Sequence, residues 1–137
     1  MHQNNGQNMK FLIKIVKKYP LSCLLIVAIW TICIIPIPET PLSHVSMADK
    51  WTHMVMYFVL TMCVGYELVK NKQTSTKQLL LYAWLMPIIM GGLIELVQAN
   101  CTGGRRSGEW LDFYADAFGS TIAFLIGILL VRCRAKH

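Results

Sequence analysis

Three short strings of polar residues stand inside otherwise apolar sequence, and their spacing would place each on one helix face. Lys50, His53 and Tyr57 follow i, i+3, i+7, and so do Glu109, Asp112 and Asp116. Glu95 and Gln98 are three apart, with Gly91 one turn before Glu95. Paired carboxylates with a histidine can move protons or hold a divalent cation through oxygen ligands. Arg105 and Arg106, in the glycine-rich stretch Asn100–Gly108, have the fork that suits phosphate or carboxylate, and Lys50 adds a further positive charge. Gln98 and Tyr57 can bond uncharged sugar or peptide groups. No Ser-His-Asp order, HExxH or phosphate-binding loop is present.

The elements that must position these groups are apolar blocks. The chain has 137 residues, 55% of them hydrophobic, and a membrane span needs roughly 20 mostly apolar residues. Pro20–Ile35, Trp51–Val69, Leu79–Val97 and Trp110–Val131 qualify, the first only narrowly. The expected fold is an all-α bundle of four transmembrane helices over residues 20–131. It is preceded by an interfacial segment, 1–19, and followed by a tail, 132–137. Met1–Gln7 reads as polar and mobile, Lys10–Tyr19 as a short interfacial helix, and Pro36, Pro38 and Pro41 as an extended loop. No small-x-small cleavage site follows the first apolar run, which favours an uncleaved anchor over a signal peptide.

Charge supplies the orientation. The net charge is +6, but the basic residues do not form a nucleic-acid-binding surface. With four alternating spans, ten of the thirteen fall on one side: Lys10, Lys14, Lys17, Lys18, Lys70, Lys72, Lys77, Arg132, Arg134 and Lys136. Short loops rich in Lys and Arg stay cytoplasmic, so both termini are expected inside and the polar strings outside. Six of the seven acids gather on the outer side, Glu67 being the exception. Below the acids of the last block, Ala115, Gly119, Ala123 and Gly127 form a small-residue stripe along which another helix can approach. The acids should therefore point into the bundle. Five cysteines without CxxC spacing read as apolar filler.

These residues resemble the VanZ-like family of small bacterial membrane proteins. The resemblance runs from Ile34-Ile35-Pro36-Ile37-Pro38 through Asp49-Lys50-x-x-His53-x-x-x-Tyr57 to Glu95-x-x-Gln98. It ends in Arg106-Ser107-x-x-x-x-Asp112-x-x-x-Asp116-x-x-Gly119. Cys101-Thr102-Gly103-Gly104 stands where a proline-glycine turn is common, and Glu109 where a small polar residue is frequent. The spacing from Ser107 to Asp112 favours Arg106 over Arg105 as the family arginine. The resemblance implies a bacterial cytoplasmic membrane protein, and its naming member is associated with resistance to the glycopeptide teicoplanin.

The expected site is Lys50, His53, Tyr57, Glu95, Gln98, Arg106, Asp112 and Asp116, with Asp49, Arg105 and Ser107 at its rim. The leading expectation is binding of an anionic envelope lipid or lipid-linked cell-wall precursor. Arg106, Arg105 and Lys50 would hold the anion, and Glu95, Asp112 and Asp116 a divalent cation or sugar hydroxyls. The alternatives are an enzyme using His53, Glu95 and Asp112 for acid–base work, and an ion- or proton-coupled permease if the acids line a path to Glu67. Against all of these stands the plainer possibility that the charges only set helix register.

Overall fold

The computed structural model describes residues 2–35, 46–71, 75–101 and 110–136. Five helices account for nearly all of them: α1 His2–Lys18, α2 Pro20–Ile34, α3 Ser46–Lys70, α4 Thr76–Cys101 and α5 Trp110–Ala135. Three of these, α3, α4 and α5, contain stretches long and apolar enough to cross a membrane. At about 22 Å, α2 is shorter than the roughly 30 Å hydrocarbon layer.

Local chemistry accounts for the helix ends and irregularities. Pro20 occupies the first turn of α2, where its missing N–H costs nothing. Ser75 and Gln78 form a reciprocal capping box at the start of α4. Pro87 lies inside α4 and has no N–H for the carbonyl one turn back. Just upstream, Leu79–Leu85 widens to a π-helix, with Met86 N–H donating to the Leu81 carbonyl. Two boundaries differ from expectation. The first helix begins at His2 rather than Lys10, since helix hydrogen bonds are local and need no apolar pattern. The last helix runs to Ala135, so the basic segment that holds Arg132 and Arg134 is helical and forms its final turn.

α2 to α5 run alternately up and down, with α3 against α5 the most extensive contact. The start of α2 lies beside the end of α3, where the Leu21 and Ser22 N–H groups donate to Glu67 at 2.8 and 3.1 Å. The far end of α2 is joined to α4 by Gln98 Nε2 donating to the Cys33 carbonyl at 2.8 Å. One end of the bundle is thus basic, with Lys17, Lys18, Lys70, Arg132 and Arg134. The other carries Lys50, His53, Glu95, Asp112 and Asp116.

Large apolar side chains cover the outside of the bundle, and ionisable groups lie inside it beside an apolar core that includes Ile29, Leu60, Val64 and Ile94. Leu24, Val27, Val55, Leu93, Phe118 and Leu129 are exposed, while His53, Glu95, Asp112 and Asp116 are buried. In lipid this is the favourable arrangement, because apolar side chains lose nothing by facing acyl chains and ionisable groups gain from facing one another. The five cysteines form no disulfide.

Candidate functional site

The polar strings meet where α3 crosses α5, and glycine makes the crossing close. A Cβ on Gly119 would collide with the Met54 backbone carbonyl. Of the small-residue stripe, Gly119 therefore does what the sequence expects, bringing two backbones together. Gly127, two turns further on, has nothing within 4 Å of such a Cβ. The stripe packs at its upper end and opens at its lower end.

Close approach stacks the polar groups in two layers. In the upper layer Lys50 Nζ lies 3.7 Å from Asp112 Oδ1. One turn deeper, His53 Nδ1 is 3.0 Å from Asp116 Oδ1, and both residues are almost fully buried. Helix α4 closes the lower layer. Gly91 lets Asp116 lie against the α4 backbone, since a Cβ there would be 2.7 Å from Asp116 Oδ2. Glu95, one turn above Gly91, completes a group in which His53, Glu95 and Asp116 offer ligand atoms all within 4.8 Å of one another.

The group brought together here, His53, Glu95 and Asp116, differs in one member from the expected cation candidates Glu95, Asp112 and Asp116. His53 lies in this cluster, and Asp112 faces Lys50 in the layer above. Residues on two different helices are brought level by the crossing, and spacing along one helix does not reveal that offset.

Tyr57 stands one turn below His53, fully buried, within electrostatic reach of Asp116 and Glu95. Its hydroxyl has no hydrogen-bond partner among the described residues, and the same is true of Thr61 and Ser120. Elsewhere Thr31 and Thr121 donate to the carbonyls of Val27 and Ala117, each at 2.7 Å, the usual solution for a hydroxyl on an apolar helix. Thr61 and Ser120 continue the two rows, His53-Tyr57-Thr61 and Asp112-Asp116-Ser120, at four-residue steps. That repeat was visible in the sequence, but hydroxyl residues in apolar helices are too common to single out without burial.

Other expected members are placed differently. Gln98 uses a side-chain N–H on the Cys33 carbonyl, which gives it a role in joining α4 to α2. Glu67 is far from the trio, about 21 Å from His53 along α3, and is engaged in capping α2. Arg105, Arg106, Ser107 and Glu109 lie outside the described residues, as does the side chain of Asp49.

The trio is chemically versatile. Two ionised carboxylates beside a neutral imidazole carry two negative charges in a low-dielectric environment, at a cost of several kcal/mol per ion. Protonation of His53 and one acid removes that excess, and so does one divalent cation. No protein-family model, curated protein or solved structure matches the chain.

Proposed function

We propose that this chain is a VanZ-like, four-span protein of the bacterial cytoplasmic membrane whose acidic end faces outward. There it binds an anionic envelope lipid or lipid-linked cell-wall precursor. The observation that carries this reading is the buried trio of His53, Glu95 and Asp116, with ligand atoms within 4.8 Å, beneath the Lys50–Asp112 pair. His53, Glu95 and Asp116 would hold a divalent cation, which would balance the charge of the two carboxylates and supply a positive charge for an anion. Mixed imidazole and carboxylate ligands suit Mn²⁺ or Zn²⁺ better than Mg²⁺. Lys50, half-buried at the top of the site, supplies a second positive group for the same anion. The orientation rests on the basic residues at the opposite end, by the positive-inside rule.

The test is elemental analysis of the purified full-length protein after equilibration with Mn²⁺ or Zn²⁺. Wild type is expected to take up about one ion per chain, and Glu95→Gln far less. Equal uptake by the two proteins would remove the cation from this reading. Lipid is then followed by native mass spectrometry, with phosphatidylglycerol expected to be released from the acidic end by EDTA.

A second reading, a small enzyme modifying such a lipid, is favoured by one observation. His53 Nδ1 faces Asp116 Oδ1 at 3.0 Å, the relation of a general base to its orienting carboxylate. Glu95 would then serve as the acid. A new lipid species formed by wild type and absent with Glu95→Gln would decide for the enzyme. The permease reading has less support, because Glu67 is occupied with the backbone of α2.

A further inference from the structure

Toward the basic end the seam between α3 and α5 opens into a cavity of about 360 Å³. Small residues create it: Gly65 on α3, Ala83 on α4, and Ala123 and Gly127 on α5 all line its walls. A Cβ added at Gly127 would meet nothing within 4 Å. The volume falls in the roughly 300–1,000 Å³ range of ligand sites. Its walls are almost wholly apolar, which disfavours filling by water. Arg132 and Arg134 also line the cavity and are themselves exposed, and no carboxylate is among the described lining residues. The acid at this end, Glu67, accepts three hydrogen bonds from Leu21 and Ser22.

We propose that this cavity is a binding site for an anionic phospholipid, with one acyl chain between α3 and α5 and the phosphate on Arg132 and Arg134. An acyl chain gains little from leaving other acyl chains, since lipid tails are as apolar as the cavity wall. Selectivity must therefore come from the headgroup. Guanidinium groups bind phosphate through paired, charge-assisted hydrogen bonds, and basic pockets between helices at a membrane surface recognise anionic headgroups by the same chemistry. A second copy of the chain is a poorer occupant. A symmetric pairing through this face would bring its own Arg132 and Arg134 toward those of the first. The site is separate from the trio at the acidic end and does not depend on it.

The experiment is native mass spectrometry of the full chain in detergent containing either phosphatidylglycerol or phosphatidylcholine with identical chains. EDTA is present throughout, so that a cation at the acidic end contributes nothing. Wild type is expected to retain phosphatidylglycerol in preference to phosphatidylcholine. The Arg132→Gln, Arg134→Gln double variant should lose at least about tenfold in phosphatidylglycerol retention. Gly127→Leu, which extends into open space, should weaken retention by obstructing the cavity while leaving the arginines in place. Equal retention of the two lipids by wild type would overturn the proposal. So would phosphatidylglycerol retention unchanged by both variants, or a dimer that Gly127→Leu converts to monomer without loss of lipid.

Discussion

Glu67 and Asp116 are both buried carboxylates on membrane-length helices, 4% and 0% exposed, and they differ in what surrounds them. Glu67 accepts from the backbone N–H groups of Leu21 and Ser22 and, at 2.6 Å, from the Ser22 hydroxyl. Those donors are the open end of α2, whose N-cap residue, Tyr19, makes no side-chain cap. A helix terminus offers unpaired N–H donors, so the Glu67 carboxyl is satisfied by architecture alone. Asp116 instead faces the titratable His53 and Glu95, groups that can gain or lose protons or share an ion. A buried acid answered by backbone holds a fold together. A buried acid answered by other ionisable groups has a charge state that a ligand can change.

The largest effect is expected where that contrast is broken at the structural end. Glu67→Ala leaves two backbone donors and a buried hydroxyl without their acceptor and should cost about 3–5 kcal/mol. Thermal unfolding in detergent would read this as a large fall in midpoint. Glu67→Gln, which keeps one acceptor, should lose clearly less. If Glu67→Ala unfolds like wild type, the distinction between the two acids fails.

Asp116→Asn should behave in the opposite way, removing Mn²⁺ or Zn²⁺ uptake with a smaller shift in midpoint. Loss of a direct ligand should exceed the roughly 10–100-fold cost typical of outer-shell changes. Because His53 must be neutral to ligate, uptake by wild type should also weaken as pH falls from about 8 to about 5. Titration calorimetry at the two pH values checks both expectations.

Smaller effects sharpen the picture of the crossing. Gly119→Ala pushes against the Met54 backbone and should destabilise by about 1–3 kcal/mol. Gln98→Leu removes the hydrogen bond to the Cys33 carbonyl and should cost at least about 1 kcal/mol. Gly127→Ala, at the open end of the same stripe, should stay within about 0.5 kcal/mol of wild type. Equal midpoints for Gly119→Ala and Gly127→Ala would mean that α3 and α5 do not cross where Gly119 meets Met54.

Much of the fold was legible in the chain because apolar helices announce themselves. Apolar blocks, prolines at their edges and polar residues at helical spacing place α2 to α5 to within a turn or two. They also put Lys50, His53 and Tyr57 on one face. The expected burial of Glu95, Asp112 and Asp116 follows from the cost of showing an acid to lipid. The role of Glu67 was not legible. Its partners are 45 and 46 residues away, and nothing about a single acid near a span end distinguishes a cap from a path. Nor was the inner cavity, since Gly119 and Gly127 are the same residue at equivalent steps of one stripe.

What the sequence determined by itself is the helical content, the inward direction of the polar faces and the gathering of acids at one end and bases at the other. These depend on local hydrogen bonding, helical periodicity and transfer between water and lipid, all of which act residue by residue. Only the tertiary structure decided that His53 rather than Asp112 joins Glu95 and Asp116, that Glu67 belongs to α2, and that the small-residue stripe closes at Gly119 and opens at Gly127. Each of these depends on the relative height and angle of two helices. That geometry is set by where backbones can touch, so a shift of one turn, about 5.4 Å, exchanges one set of neighbours for another.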